Sequence, residues 1–460
     1  MIENTIAVIL AAGGRKKMKS AFPRAMTKIL SKPMVEWVLR AAQKSGAEKI
    51  VVVTGEHDKI VRDCVGDRAE CVIQYERKGT GHALLQALPI IKKNPDCDVL
   101  VLNSDTPLMD ASTIHFALNA HREGDNAVTV ISAIVDNPFG YGRIVRDSDG
   151  TFKGIIEERD AESEIKRINE ISSGTFWFKA GVLISALDEI SAREDGTYNL
   201  VDTVALMIDA GLPAEAYLSP DSDVVLGANT RIEVSQINEI ARMNVINELL
   251  NSGVDIPCFD GVMIDPTVSI GMDTRILPNT IISGDTKIGR NCVIGPNSYI
   301  EDSTIGDEAV LDNTKCRLSS VGNGASIGPF VQIRPNSVVG EKVHLGNFVE
   351  VKNSTIDTGT KVSHLTYVGD SDVGKNVNFG CGTVTVNYNG KAKYRTTIGD
   401  NVFIGCNTNL IAPVSIGDGA YTAAGSTITE NVPASSLGIA RARQINKEGW
   451  VARFKNREKE

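Results

Sequence analysis

The 460-residue sequence predicts an α/β chain in two parts: an open sheet covered by helices, then a β-solenoid, with one helix between them. Three observations carry this. Up to about residue 136, short apolar runs alternate with helix-spaced stretches. Residues 230–250 then show an apolar stripe at helical spacing. Beyond them the aliphatic period becomes six, which no α-helix uses. The expected boundaries are 1–229, a linking helix at 230–251, and 252–460.

In the first part the apolar runs fall at 6–10, 50–53, 71–73, 99–102 and 127–135, with helical spacing at 32–45 and 82–93. Apolar strands separated by amphipathic stretches predict a parallel sheet covered on both faces. Such sheets bind ligands at the carboxyl ends of their strands. Two motifs fall there, LAAGG at 10–14 and LNSD at 102–105. The linking helix places Ile232, Ile237, Ile240, Met243 and Ile246 on one stripe, with Asn251-Ser252-Gly253 as its stop.

In the second part isoleucine occupies 270, 276, 282, 288, 294 and 300. A second phase holds Ile327, Ile333, Val339, Leu345 and Val351. A third holds Ile398, Ile404, Leu410 and Ile416, then Ile428 after a break at Thr422. Glycine often follows the aliphatic residue, as in Ile288-Gly289 and Ile404-Gly405. A hexapeptide repeat turns one aliphatic side chain per short strand inward, which builds a core although aromatics make up only 5% of the chain. Its flat walls predict side-by-side packing into a homo-oligomer, most simply a closed cyclic ring.

A net charge of −9 argues against a dominant nucleic-acid surface. Eight scattered cysteines without CxxC spacing fit a reducing compartment. No apolar run is long enough to span a membrane, and a cytoplasmic protein acting on small molecules is expected.

LAAGG, GTGHA at 79–83, a strand-end Asp105 and the six-residue repeat are joined by GNFVEVKNS at 346–354, SHLTYVGD at 363–370 and GTVTVNYNGKAKYRTTIGD at 382–400. Together they resemble, over residues 5–445, the bacterial bifunctional N-acetylglucosamine-1-phosphate uridyltransferase/glucosamine-1-phosphate N-acetyltransferase family. The resemblance implies a Rossmann-like nucleotidyltransferase domain, a connecting helix and a left-handed parallel β-helix acetyltransferase domain. It also implies a place in UDP-N-acetylglucosamine synthesis, and so in peptidoglycan, lipopolysaccharide and cell wall formation, with Mg2+ as cofactor, acetyl-CoA as cosubstrate and a homotrimer as the assembly.

Acetyl transfer from a thioester to a sugar amine needs a proton acceptor, donors for the tetrahedral oxyanion, and cations for the sugar phosphate. Histidine has the pKa range for the first task. Arg334 and Lys352 are eighteen residues apart, which stacks them on neighbouring coils as a cationic clamp. By resemblance His364 is the proton acceptor, and Arg334, Lys352, Tyr367 and Asn378 contact the sugar phosphate, with Lys393 a further cation. Cys381, Asn387, Tyr388, Cys406, Ala424 and Arg441 fall at acetyl-CoA positions. Cys381 and Cys406 stand where the family commonly has Ala and Ser, and Cys406 is expected to be a small buried thiol rather than a nucleophile. His344 reads as structural, and His57, His115 and His121 as solvated or helix-surface residues. The basic stretch 439–460 reads as a solvated helix.

Uridylyl transfer is an in-line attack by a sugar phosphate on the α-phosphorus of UTP, catalysed by positioning and charge. The loop LAAGGRKKMKSAFPR is similar to the family's LAAGxGTRMxSxxPK. Leu10, Ala11, Ala12 and Gly13 match, while Arg15, Lys16, Lys17 and Arg24 replace Gly, Thr, Arg and Lys. Charge is kept, but Arg15 lacks the conformational freedom of glycine, so weakened or shifted uridylyl transfer is expected. Gln74, Gly79, Thr80, Gly142 and Glu157 match uracil and sugar positions. Asn103-Ser104-Asp105 replaces YGD, Ser172 replaces an Asn, and Arg77 replaces a Gln. Asp105 and Asn229 match the Mg2+ ligands, oxygen donors suited to a hard cation. The expected activity is bifunctional. The alternative is an acetyltransferase only, with the first domain degenerate or using another nucleotide.

Overall fold

The computed structural model describes residues 4–14 and 18–457. The chain divides into two compact units, Met1–Met243 and Asn244–Glu460, and the boundary falls within the helix Arg231–Asn251.

Strand residues of the first unit alternate between two buried layers. In Thr5–Leu10, Ile6, Val8 and Leu10 join one layer, and Ala7 and Ile9 the other. In Asp98–Asn103, Val99 and Val101 point one way, Leu100 and Leu102 the opposite way. Helices Thr80–Ile91, Ala180–Glu189 and Leu200–Asp209 close the first layer. Helices Met34–Lys44, Lys59–Val65 and Ala111–Glu123 close the second. With both faces covered, the strands are apolar along their length, which is the signal in the sequence.

The strand order is Ala214–Leu218, Val128–Ile134, Glu170–Lys179, Asp98–Asn103, Thr5–Leu10, Lys49–Gly55 and Glu70–Gln74. The sheet is mixed, not parallel throughout as expected. Glu170–Lys179 runs antiparallel to both neighbours. The chain reaches it through the hairpin Arg143–Arg146/Phe152–Ile156 rather than through a crossover helix, so it returns in the opposite direction. Leu10 pairs with Asn103, which brings LAAGG and LNSD out side by side at the carboxyl edge of the sheet. The Ser104 N–H donates to the Leu10 carbonyl at 3.1 Å and fastens the two exits together.

The second unit is built of three parallel sheets, of ten, nine and ten strands. Along one wall Ile276, Ile294, Leu311, Ile327, Leu345, Val362, Phe379 and Ile404 stack in register, all buried. Thr422 continues this column rather than breaking it, with its hydroxyl accepting the Gly405 N–H at 3.0 Å. The phases shift because some coils are shorter than eighteen residues. Ile294 pairs with Leu311, and Ile300 with Cys316. One coil is longer, since Val373 pairs with Ile398, and the surplus folds out as a loop pinned by the Tyr388–Lys393 bridge.

Two expectations need correction here. The tail is irregular over 439–449 and helical only at Trp450–Arg457. The Thr427 N–H donates to the Ala440 carbonyl at 3.0 Å, tying this stretch to the last coil and keeping it from starting a helix. His121 is fully buried rather than at the surface. Its Nδ1 lies 3.0 Å from the Thr129 hydroxyl and its Nε2 3.7 Å from Asp98. The last turn of Ala111–Glu123 turns this face onto the sheet.

Burial lowers the His121 pKa to about 4, against an ordinary 6.5. The folded state therefore disfavours the imidazolium. Stability is complete above the ordinary value and declines as pH falls from about 6.5 toward 4, by on the order of 3 kcal/mol. Urea midpoints across this window are expected to fall for the native chain and to stay flatter for His121→Gln. Parallel profiles would contradict this.

Candidate active sites

At the carboxyl edge of the first unit, Leu10, Ala11 and Ala12 leave the sheet buried, and the Ala11 N–H donates to the Val53 carbonyl at 2.8 Å. They open into a cleft of about 220 Å³ lined by Gly13, Gly14, Arg24, Gln74, Arg77, Gly79, Thr80 and Asn103. A side chain at Gly13 would meet the Arg24 guanidinium at 3.0 Å. Gly79 has φ +97, and a Cβ there would strike the Tyr198 carbonyl. Gln74 is buried, donates to the Gly79 carbonyl at 3.1 Å and lies 3.0 Å from His82 Nδ1. The Thr80 hydroxyl accepts the Leu200 N–H at 3.0 Å. Arg77 turns to the buried Asp58, at 2.9 Å. Arg15, Lys16 and Lys17 lie outside the described residues.

A second cavity of about 180 Å³ adjoins this cleft and shares Thr80 and Asn103 with it. Asp105, Gly142, Glu157, Ser172 and Asn229 all line it. The Asn103 amide donates to the Gly174 carbonyl at 3.3 Å. Ser104 is buried and, contrary to the expectation of a nucleotide contact, lines neither cavity. The Ser172 N–H donates to the Gly142 carbonyl at 2.9 Å, and the Ser172 hydroxyl accepts the Gly174 N–H at 3.1 Å. Burial raises the Glu157 carboxyl above its ordinary range, partly offset by Arg193 and Arg159.

Arg24 Nη1 lies 2.8 Å from Asp105 Oδ2 and 2.6 Å from Asn229 Oδ1. One carboxylate oxygen and one amide oxygen thus converge on a single cationic atom. This is a donor pair for a hard divalent ion that keeps most of its coordination for water and phosphate. Among the described residues no group of three or more His, Cys, Asp or Glu could hold a metal alone. Any ion here would complete its shell from substrate.

The second unit gathers its polar residues around one corner of the solenoid. His364 ends the strand Lys361–His364 on one wall, and Tyr367 begins Tyr367–Gly369 on the next. Leu365, with φ +44, and Thr366 make the corner. His364 Nδ1 sits 3.1 Å from the Asn347 side-chain oxygen of the coil before. With Nδ1 donating to that oxygen, Nε2 is left as the acceptor. Asn378, half-buried, pairs with Lys361 on the coil after.

On the neighbouring wall Ile333 pairs with Val351, which places Arg334 and Lys352 one above the other. Arg334 lies 2.8 Å from Glu350, which raises its pKa. Lys352 lies 3.6 Å from Asp370. Asp370 also accepts from Asn353 at 2.5 Å and from Asn387. Burial pushes its carboxyl up, but the Asn353 and Asn387 hydrogen bonds and the Lys352 and Lys393 charges outweigh it, and the pKa ends below the ordinary value. The Lys393 ammonium stands against Lys352, and this contact lowers its pKa. Tyr367 lies over Gly369, where any Cβ would strike the ring.

Cys381, Cys406 and Ala424 form a column up one edge. Asn407 N–H donates to the Cys381 carbonyl and Gly425 N–H to the Cys406 carbonyl, each at 2.8 Å. Arg441 Cδ lies 3.7 Å from where a Gly425 Cβ would be. Tyr388 and Lys393 project from the loop, and Asn387 is buried at its root. Cys406 is exposed, contrary to the buried thiol expected, because its coil corner turns the side chain outward. Residues the sequence reading passed over are Asn347, Asp370, Tyr141 and Glu233. The first two stand inside motifs already quoted. The last stands in Thr-x-x-Glu at 230–233, a helix-start signature.

The chain is therefore a two-site transferase: a nucleotidyltransferase sheet followed by a hexapeptide-repeat β-helix. Residues 6–226 match the nucleotidyl transferase model, and 267–302, 319–353 and 395–430 match that of bacterial transferase hexapeptide repeats. The chain belongs to the family of bifunctional GlmU proteins. It is 47% identical to "Bifunctional protein GlmU" of Caldanaerobacter subterraneus and 46% identical to that of Acetivibrio thermocellus, each over 98% of both chains. It is 42% identical to that of Clostridioides difficile over 97% of both. The solenoid is thus the left-handed β-helix of such transferases. Among the described residues no helix is long and apolar enough to cross a membrane.

The Lys352–Lys393 contact yields a prediction. Lys352→Met removes the charge that depresses Lys393, so the Lys393 pKa should rise toward the ordinary lysine range, read by NMR titration of labelled lysine side chains. An unchanged titration would contradict the contact.

Proposed function

We propose that the two sites act in sequence to make UDP-N-acetylglucosamine, the second unit acetylating glucosamine 1-phosphate and the first unit uridylylating the product. The convergence of Asp105 and Asn229 on one cationic position, beside a cavity that also holds Gly142, Glu157 and Ser172, carries the first assignment. The His364 corner flanked by Arg334, Lys352 and Lys393 carries the second. Membership of a bifunctional family over 98% of the chain sets aside the acetyltransferase-only reading.

In the acetyl-transfer site Arg334, Lys352 and Lys393 hold the sugar phosphate. The Lys352–Lys393 repulsion is relieved when an anion lies between them. Tyr367 and Asn378 orient the sugar. His364 Nε2 takes a proton from the sugar amine, and the Asn347 oxygen on Nδ1 keeps the ring in the accepting tautomer. Acetyl-CoA lies along the column Cys381, Cys406 and Ala424, with Asn387, Tyr388 and Arg441 at its sides. The exposed Cys406 lines this path and forms no acetyl-cysteine intermediate.

In the uridylyl-transfer site Leu10, Ala11, Ala12 and Gly13, with Lys17 and Arg24, hold the triphosphate, and Gln74, Gly79 and Thr80 receive uracil. Asn103, Gly142, Glu157 and Ser172 receive the N-acetylglucosamine end. Asp105 and Asn229 would hold Mg2+, which supplies charge neutralisation at the phosphates. Arg24 must yield its place between these two oxygens and turn to the phosphates. The flat solenoid walls support side-by-side packing into a homo-oligomer, which the resemblance makes a homotrimer.

His364→Ala is expected to lower acetyl transfer by about 10² to 10⁴-fold while leaving uridylyl transfer unchanged. Thiol release close to native would overturn the assignment. Cys406→Ser should keep acetyl transfer near native, whereas abolition would favour an acetyl-cysteine route.

A further inference from the structure

We propose that Glu233 is a positioning residue for uridylyl transfer, so that the first turn of the helix Arg231–Asn251 is a working part of the nucleotidyltransferase site. This rests on the role proposed above for Asn229. The segment lies past residue 226, where the nucleotidyl transferase match ends.

Residues 227–230 form a short strap between the cavity and the helix. Its four successive N–H groups all have acceptors. Gly227 donates to the Tyr141 hydroxyl at 3.0 Å and Ala228 to the Asp105 carbonyl at 2.8 Å. Asn229 and Thr230 both donate to Glu233 Oε2, at 2.7 Å each. The Thr230 hydroxyl in turn accepts the Glu233 N–H at 3.3 Å.

The Thr230–Glu233 exchange is a capping box, which alone would serve only the helix. The additional bond to Asn229 does something else. It grips the backbone of the residue whose side-chain oxygen meets Asp105 around one cationic point. The other two acceptors, Tyr141 and Asp105, line the same cavity. Without the carboxylate the Asn229 N–H loses its acceptor, and rotation there carries Oδ1 away from Asp105. The same helix steadies the opposite side of the site. Asn238 Oδ1 accepts the Leu30 N–H at 2.6 Å, and Ile237 and Ala241 pack with Met18 and Ile29, on the segment leaving the phosphate loop.

The test uses the full chain with Glu233→Ala and Glu233→Gln. Uridylyl transfer, acetyl transfer and binding of Mn2+ alone, by electron paramagnetic resonance, are measured on each protein. Glu233→Ala should weaken Mn2+ binding and lower uridylyl kcat by about tenfold each, the scale of losing a group that orients a metal ligand. Acetyl transfer should be unchanged, which reports an intact fold. Glu233→Gln should recover most of both losses, because its amide oxygen still accepts. Unchanged Mn2+ binding in Glu233→Ala, equal loss of both activities, or Glu233→Gln as impaired as Glu233→Ala would overturn the proposal. A native chain with no uridylyl transfer would instead sink the reading beneath it, and the Mn2+ comparison would still decide the positioning claim.

Discussion

Strand register, fixed by buried side chains, is the constraint on which both sites depend. In the solenoid the short strands turn one residue, or two at alternate positions, inward, and a slip by one position would turn them to solvent. The rung Ile333–Val351 therefore also fixes Arg334 above Lys352, and the rung Leu345–Val362 fixes Asn347 beside His364. The chemistry outside is set by the packing inside. In the first unit the alternation through Ile6, Val8 and Leu10 fixes Leu10 opposite Asn103, and the two loops that meet there make the cleft.

Departures from regularity are where function collects. The single long coil yields the loop at 387–395, which buries Asn387 on Asp370 and presents Lys393 to Lys352. Glu170–Lys179, antiparallel to its neighbours, brings Ser172 to the second cavity, and its register shifts between Ser172 and Phe176. A uniform sheet and a uniform solenoid would offer no comparable concave polar surface.

Most of the fold was legible because its signals are periodic: apolar strands, a helical stripe and a six-residue repeat. The resemblance, more than charge or spacing, marked the named residues that line the cavities, Gln74, Gly142, Glu157, Ser172 and Asn229 among them. What escaped was non-local. The reversal of Glu170–Lys179 depends on the preceding hairpin pairing with itself, which no local pattern announces. His121 sits on a helix of modest polarity, and only tertiary packing decides that it faces the sheet. Cys406 follows the glycine of a repeat, and whether that corner points in or out is a property of the coil. Arg24 could be named as a basic substitution, but its place between Asp105 and Asn229 joins residues far apart in the chain.

The central claim is that one chain carries two complete and separable sites. The most direct measurement is a split assay on the purified native chain. One arm supplies N-acetylglucosamine 1-phosphate, UTP and Mg2+ and follows pyrophosphate. The other supplies glucosamine 1-phosphate and acetyl-CoA and follows free thiol. The account predicts product in both arms, each without the substrates of the other. Thiol without pyrophosphate would contradict the first site, and pyrophosphate without thiol the second.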